Sequence, residues 1–573
     1  MADIISRIYS NFRGVDFRGD EINLLRSPDA LNVWKDYKET ESIRTRPALE
    51  FMEASSGFKV NGIYFYKGKM LMHGGSSMYE FDGTTVRTWT NLTVNDAPSC
   101  GFVYNDIFYF IDGSSYLQYE GTDFKEVVGY IPTTTIARNP NGGGKKHEDV
   151  NMMSDYRKNS FLADGMALSF FLDATNIDSE YVPEVVYSNT DDTSIRKDGN
   201  GVVATSEYKV DYAEGKITFL HEAPDAPLTD GQDNIVIKFK KTVPKYKESI
   251  KKCTMVQTFD NRVFFSGNPD YPNMLWHCSL NDPSYISDLD YYQEGSDNAA
   301  IKGMVAGNNA LWVFREPSDA NTTVFYHMPS IDDEYGKIYP SAHSSVTTGC
   351  IGKAINFNDD IVFFSERGME GISGDITTEQ VVAHRSSLVD RKMTAEADYK
   401  NMILAEWEGY LLVFIGNKVY LADSRAIFTN ENHYEYEWFM WEFNEYDQVT
   451  CVAVNDGILR IGTDKGVFTL TGKDDVFESY WVTPLDKFEY PHKLKTTNKR
   501  GCVAEATGDI SVYAKLEDTG YELIGTYENI VDYFVSRIKR KKFKDIQLKF
   551  HSNTRFSLET VTLEAFIGGY IKR

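Results

Sequence analysis

The chain has 573 residues, of which 42% are hydrophobic, 25% charged and 14% aromatic, the last carried mostly by 36 tyrosines and 35 phenylalanines. That is globular composition with material for two to four domains, and its aromatic content favours half-buried pleated surface. A formal net charge of −24 excludes general adhesion to DNA or anionic membrane, and no stretch reaches the roughly 18 apolar residues of a membrane helix.

The opening, MADIISRIYSNFRGVDF, lacks a basic region followed by an apolar run, so a soluble chain made in a cytoplasm is expected. Within residues 1–55, SPDALNVWKDY reads as a short helix with Ser27 as cap and Pro28 at its first position. IRTRPALEFM then reads as a strand donated to the last unit of the repeat that follows.

From residue 56 a unit recurs: a β-rich run, a polar turn, a second run, a Gly break and a third run. It is written VNGIYFYKGKMLMHGGSSMYEFDG from Val60 and CGFVYNDIFYFIDGSSYLQYEG from Cys100. It returns from Cys253, Ile301, Cys350, Asn401 and Cys451, spaced by about 50 residues, the length of a four-stranded propeller blade. The later units carry turn pairs at Asp260-Asn261, Asn308-Asn309, Asp359-Asp360, Glu408-Gly409 and Asp456-Gly457, most of which tolerate positive φ. The fold class is therefore all-β: a β-propeller of six to seven blades, with parts at 56–130 and 251–475.

Two regions break the period. Residues 131–250 contain alternating runs, among them Tyr208, Val210, Tyr212 and Ile217, Phe219 across Glu214-Gly215, and read as an inserted β-sandwich. Residues 476–573 alternate as DISVYAKLE, KDIQLKF and ETVTLEAFIGGYIKR and read as a separate C-terminal β domain.

Of the six cysteines, Cys100, Cys253, Cys350 and Cys451 open the first strand of a unit, and none falls at CxxC spacing. They are expected as small buried hydrophobes rather than metal ligands or disulfides. HExxH, GxSxG, Walker A, EF-hand and sialidase-box patterns are absent, so neither a catalytic constellation nor a cofactor is expected. Acidic pairs at Asp359-Asp360 and Asp474-Asp475 read as solvated turns rather than glycosidase carboxylates.

Two clusters stand out. SRIKRKKFKD places Arg537, Lys539, Arg540, Lys541, Lys542 and Lys544 within eight positions of an acidic chain. It reads either as a contact for DNA phosphates or an acidic neighbour, or as a strand edge guarded by lysines. If copies of the chain assemble, contact with an acidic face is preferred over contact with DNA. HYEYEWFMWEF, His433 to Phe443, reads as a strand buried on both faces; the alternative is a stacking platform built on Trp407, Trp438 or Trp441.

The two ends of the chain resemble a known family. NFRGVDF, SPDALNVWKDY, ETESIRTRPAL and GIYFYKGKMLMHGG, with the closing KRKKFKDIQLKFHSNTRFSLETVTLEAFIGGYIKR, are similar to the termini of packaged-DNA stabilisation proteins of tailed phages. The resemblance, which extends to related tail nozzle proteins of short-tailed phages, implies a virion protein with a propeller fold. It implies a homo-oligomeric ring, usually sixfold, below the portal and its adaptor. Such a ring extends the DNA channel, retains the packaged genome and lets double-stranded DNA pass at ejection. It implies no enzyme activity and no membrane insertion. The competing expectations are a receptor- or glycan-binding propeller and a polysaccharide-cleaving one.

Overall fold

The computed structural model of the chain describes residues 4–36, 42–319, 322–333, 336–373, 380–430, 433–472, 476–517, 519–539 and 542–571. Two compact units emerge, one of Met1–Pro98, Lys302–Met328 and Ala342–Arg573, the other of Ser99–Ile301 and Pro329–Ser341.

Seven four-stranded sheets carry the repeat, each a meander in chain order: 60–88 (blade 1), 100–126 (blade 2), 255–293 (blade 3), 301–343 (blade 4), 354–384 (blade 5), 403–442 (blade 6) and 449–470 (blade 7). Blade 7 takes its fourth strand, Leu49–Phe51, from the N-terminal segment, where Glu50 lies opposite Thr469. The protein is a β-propeller, and the donated strand completes a sheet that the local sequence leaves one strand short.

The reason for the regularity is in the turns. Every blade's first hairpin closes on two residues that both have positive φ: Lys67-Gly68, Asn105-Asp106, Asp260-Asn261, Asn308-Asn309, Asn358-Asp359, Glu408-Gly409 and Asp456-Gly457. Such type I′ turns match the right-handed twist of the flanking strands. In blade 5 the turn lies one residue earlier than the sequence reading placed it, because Asn358 takes the left-handed conformation more readily than Asp360 would. Asp360 instead begins the next strand, where it is buried and bound to Arg385 Nε at 2.8 Å. It is a structural ion-pair partner and not a solvated turn acid.

Residues 131–250 form two sheets. One has five strands, with Thr133–Arg138 parallel to Tyr156–Phe161 and Ile235–Lys240 antiparallel to it. The other has three, with Tyr208 opposite Phe219 and Val210 opposite Ile217. Phe161, Phe170, Tyr187, Ile217, Phe219 and Ile237 fill the core of this inserted sandwich.

The C-terminal sheet has eleven strands, and four come from the other end of the chain. Ile4–Tyr9 pairs with Phe556–Tyr570, Ala30–Leu31 with Ser479–Val482, and Ile43–Thr45 with Phe556–Tyr570. Its central strand, Lys493–Leu516, is long enough to meet five others. Reading 476–573 by itself misses those N-terminal strands. One hydrophobic core joins this sheet to blades 5, 6 and 7, through residues such as Phe12, Trp34, Trp441, Trp481 and Phe550.

The helix expected at Ser27-Pro28 does not form. Ser27 bridges to Val15, and its hydroxyl donates to the Asp29 carbonyl (2.9 Å) while accepting from the amides of Asp29 and Val482. With the hydroxyl engaged in that local turn and the segment paired as strand, no N-terminal helical turn is left to cap. Gly14 precedes this segment at φ +103, and a Cβ there would lie 2.1 Å from the Trp438 carbonyl oxygen, which accepts from the Val15 amide at 2.7 Å. Gly14→Ala is expected to cost at least the ~1–3 kcal/mol of a strained backbone, read as a lower urea midpoint.

Candidate functional site

The basic cluster follows the strand Tyr533–Ser536 and runs into the short strand Lys542–Phe543. Its alternation has a structural logic. Ile538 and Phe543 are buried at 6% and 1% exposure, while Arg537, Lys539, Lys542 and Lys544 are exposed. Two apolar anchors hold the loop down and turn its cations outward. Arg540 and Lys541 lie outside the described residues.

Arg537, Lys539 and Lys542 share the lining of a cavity of about 220 Å³ with Leu516, Ile524, Ile538, Glu517 and Glu522. The Lys544 amide donates to Glu517 Oε1 at 3.0 Å. Beneath the loop lies Lys495, which sequence reading missed. It is fully buried, and its Nζ donates to the carbonyls of Tyr490 and Lys544. Burial pulls its pKa down, opposed by Asp545 and Asp486. A buried ammonium that bonds the backbone at Lys544 ties the basic loop to the sheet. The signal for it was absent, because a lone lysine in KLKTTNKR looks like surface.

The chain ends are locked by ion pairs that span the sequence. Arg7 Nε meets Asp486 at 3.1 Å, and the Tyr9 hydroxyl donates to the same carboxylate at 2.8 Å. Arg26 grips Glu437 with two bonds of 2.9 and 2.7 Å. Arg46 lies over the rings of Phe443 and Phe477 at 4.2 and 3.8 Å and donates to the side-chain oxygen of Asn32.

His384 is held between two carboxylates, with Nε2 2.5 Å from Asp390 and Nδ1 3.2 Å from Glu370. Burial opposes its charge, but the two acids outweigh burial and push its pKa from 6.5 up to about 10. This stabilisation is therefore complete below pH 6.5 and is lost as pH rises through about 10. His384→Gln is expected to lower the denaturation midpoint at pH 6 and to have a much smaller effect above pH 10, checked by urea titration at both values.

Burial disfavours the thiolate at most of the cysteines. Cys253, Cys278, Cys350 and Cys502 are buried, and burial raises the thiols of Cys278, Cys350 and Cys502 to about 12. Cys100 and Cys451 lie within first strands, and Cys253 and Cys350 just ahead of them. Among the described residues no group of three or more His, Cys, Asp or Glu side chains is placed to hold a metal ion. Trp407, Trp438 and Trp441 are at most 8% exposed, and their indole N–H groups donate to the carbonyls of Gly457, Arg385 and Val33. They form core, not a platform. Asp474 and Asp475 fall outside the described residues.

No protein-family model matches the chain, and no curated protein matches it. Among solved structures it is similar to BamB from Moraxella catarrhalis, at 9% identity and a TM-score of 0.33 over 74% of this chain and 96% of that one. It is also similar to YCF48 bound to D1 peptide, at 6% identity and 0.34 over 74% and 94%. A putative gluconolactonase gives 7% identity and 0.30 over 74% and 92%. Scores of this size carry no functional argument, and the fold assignment stands on the chain's own seven sheets.

Proposed function

We propose that this chain is a structural virion protein of a tailed phage, forming a homo-oligomeric ring at the tail or portal vertex that extends the DNA channel and helps retain the genome. The observation that carries this reading joins resemblance to structure. Of the segments whose wording is similar to packaged-DNA stabilisation proteins, SPDALNVWKDY and ETESIRTRPAL supply strands to the same eleven-stranded sheet as the closing segment, while GIYFYKGKMLMHGG forms the first two strands of blade 1. Much of what resembles the family, from both ends of the chain, is thus joined in one sheet. Long-range ion pairs within the same unit stiffen that architecture and suit it to bearing load rather than to turnover. The exposed cations Arg537, Lys539, Lys542 and Lys544 are the contact offered to an acidic neighbour in the ring.

The test is negative-stain imaging of the purified protein, alone and mixed with tail-less phage heads. Rings, or added density at one vertex of the head, support the reading. Monomers that ignore heads and decorate host cells overturn it in favour of receptor binding.

A further inference from the structure

Blades 7 and 1 meet inside one unit, and their facing surfaces differ in kind. Where their strands come closest the side chains are small. A Cβ on Gly462 would lie 2.4 Å from Cys451 Sγ and 3.0 Å from Val60, so the blades touch there. Two residues along the strand, toward the Asp456-Gly457 turn, they part. On blade 1, Phe65, Met70 and Phe81 are directly opposite one another across three strands and form an apolar row. On blade 7, Arg460, Thr469 and Glu50 are opposite one another and form a polar row. The two rows border a cleft of about 460 Å³.

A blade contact built for packing alone would set apolar against apolar. Here the Arg460 guanidinium lies 5.0 Å from the centre of the Phe65 ring, and its Nη1 is buried with no hydrogen-bond acceptor among the described residues. A buried donor left in this way is costly and calls for an acceptor. Burial lowers the pKa of Arg460 and Asp456 opposes the shift, and a guanidinium stays charged throughout. Asp82 and Glu50 also line the cleft. The Asp82 carboxylate accepts from the amides and hydroxyls of Thr84 and Thr85, which hold it far below the usual carboxylate range and therefore ionised. The Asp82 and Asp456 carboxylates make the rim acidic, so an anionic ligand is repelled, while a purely apolar one leaves the Arg460 donor unmet.

We propose that this cleft binds a peptide segment of another protein in which an apolar side chain stands beside a basic one. The apolar side chain rests on Phe65, Met70 and Phe81; a backbone carbonyl accepts from Arg460 Nη1; the cation meets Asp82 and Asp456. The site is independent of ring formation and of the basic loop.

The experiment is fluorescence anisotropy of the full-length chain with three labelled, amidated hexapeptides: Gly-Leu-Arg-Leu-Arg-Gly, Gly-Leu-Glu-Leu-Glu-Gly and Gly-Ser-Arg-Ser-Arg-Gly. The first is expected to bind about tenfold or more tighter than the other two, the serine peptide reporting what charge alone contributes on an acidic protein. Arg460→Met is expected to weaken the first peptide by about tenfold through loss of the carbonyl contact. Asp456→Asn, at an exposed position, is expected to weaken it and to flatten its salt dependence. The Asp456 variant carries the test if the Arg460 variant does not fold. Equal or tighter binding of the glutamate peptide, equal binding of the serine peptide, no binding at millimolar peptide, or folded variants that bind as the parent does would each overturn the proposal.

Discussion

Replacing Arg26 with Met is expected to destabilise the protein by about 3–5 kcal/mol, because Glu437 would remain charged and buried without its partner. Side-chain exposures are 9% for Arg26 and 1% for Glu437, and the pair is bidentate. Arg13 Nη1, 3.9 Å from Glu437 and half exposed, is a poor substitute. Burial already raises the pKa of Glu437, with Arg26 the main opposing influence. Without Arg26 that pKa rises further and the folded state favours the protonated acid. The deficit of the variant is then smallest below the ordinary value of 4.5 and grows as pH climbs above it. The double change Arg26→Met with Glu437→Leu is expected to recover most of the loss, since removing both charges removes the desolvation cost. Urea denaturation of the two variants between pH 4.5 and 8 checks both expectations.

Trp441→Ala is expected to cost about 3–5 kcal/mol, the range for emptying a large core site. Trp441 is fully buried, its ring is 5.7 Å from that of Trp34 and edge-on to it, and its indole N–H donates to the Val33 carbonyl at 3.3 Å. The substitution therefore strikes blade 6 and the N-terminal segment together. Trp441→Phe is expected to lose less, keeping the ring but not the N–H. Thermal melts of both variants read the effect. An exposed stacking residue would behave differently, with unchanged melting and a loss confined to sugar binding.

How far the sequence led depends on the range of the interactions involved. The blades were legible because their cause is local: a pair of residues able to take positive φ between two alternating runs. Even the one-residue displacement at Asn358-Asp359 follows from a local competition among three adjacent residues that all suit turns. The donated strand of blade 7 was legible as an unpaired alternating run just ahead of a repeat one strand short. The entry of Ile4–Tyr9 and Ile43–Thr45 into the C-terminal sheet was not, because those pairings join residues at opposite ends of the chain. Arg26 and Glu437, 411 positions apart, gave no signal for the same reason. The Ser27-Pro28 helix failed because a cap motif reports only what a segment can do alone, and here a neighbouring strand pairs with it first. In the basic cluster the charges were legible. The anchoring by Ile538 and Phe543 and the buried Lys495 beneath it were not, since an isolated charge in sequence does not declare its burial.

The joining of both termini in one sheet also constrains how the protein is made. Leu49–Phe51 cannot pair until Val467–Leu470 has left the ribosome, and Ile4–Tyr9 must wait for Phe556–Tyr570. At about 5–20 residues per second that interval is on the order of half a minute or more. During it the first strands to be synthesised, with the apolar side chains of Ile4, Ile8 and Leu49, have no partner. The nascent chain therefore carries an unpaired edge until Phe556–Tyr570 has emerged. Neighbouring copies on one polysome could capture it, and a chaperone that holds extended apolar segments would be expected to raise the yield of correctly closed protein.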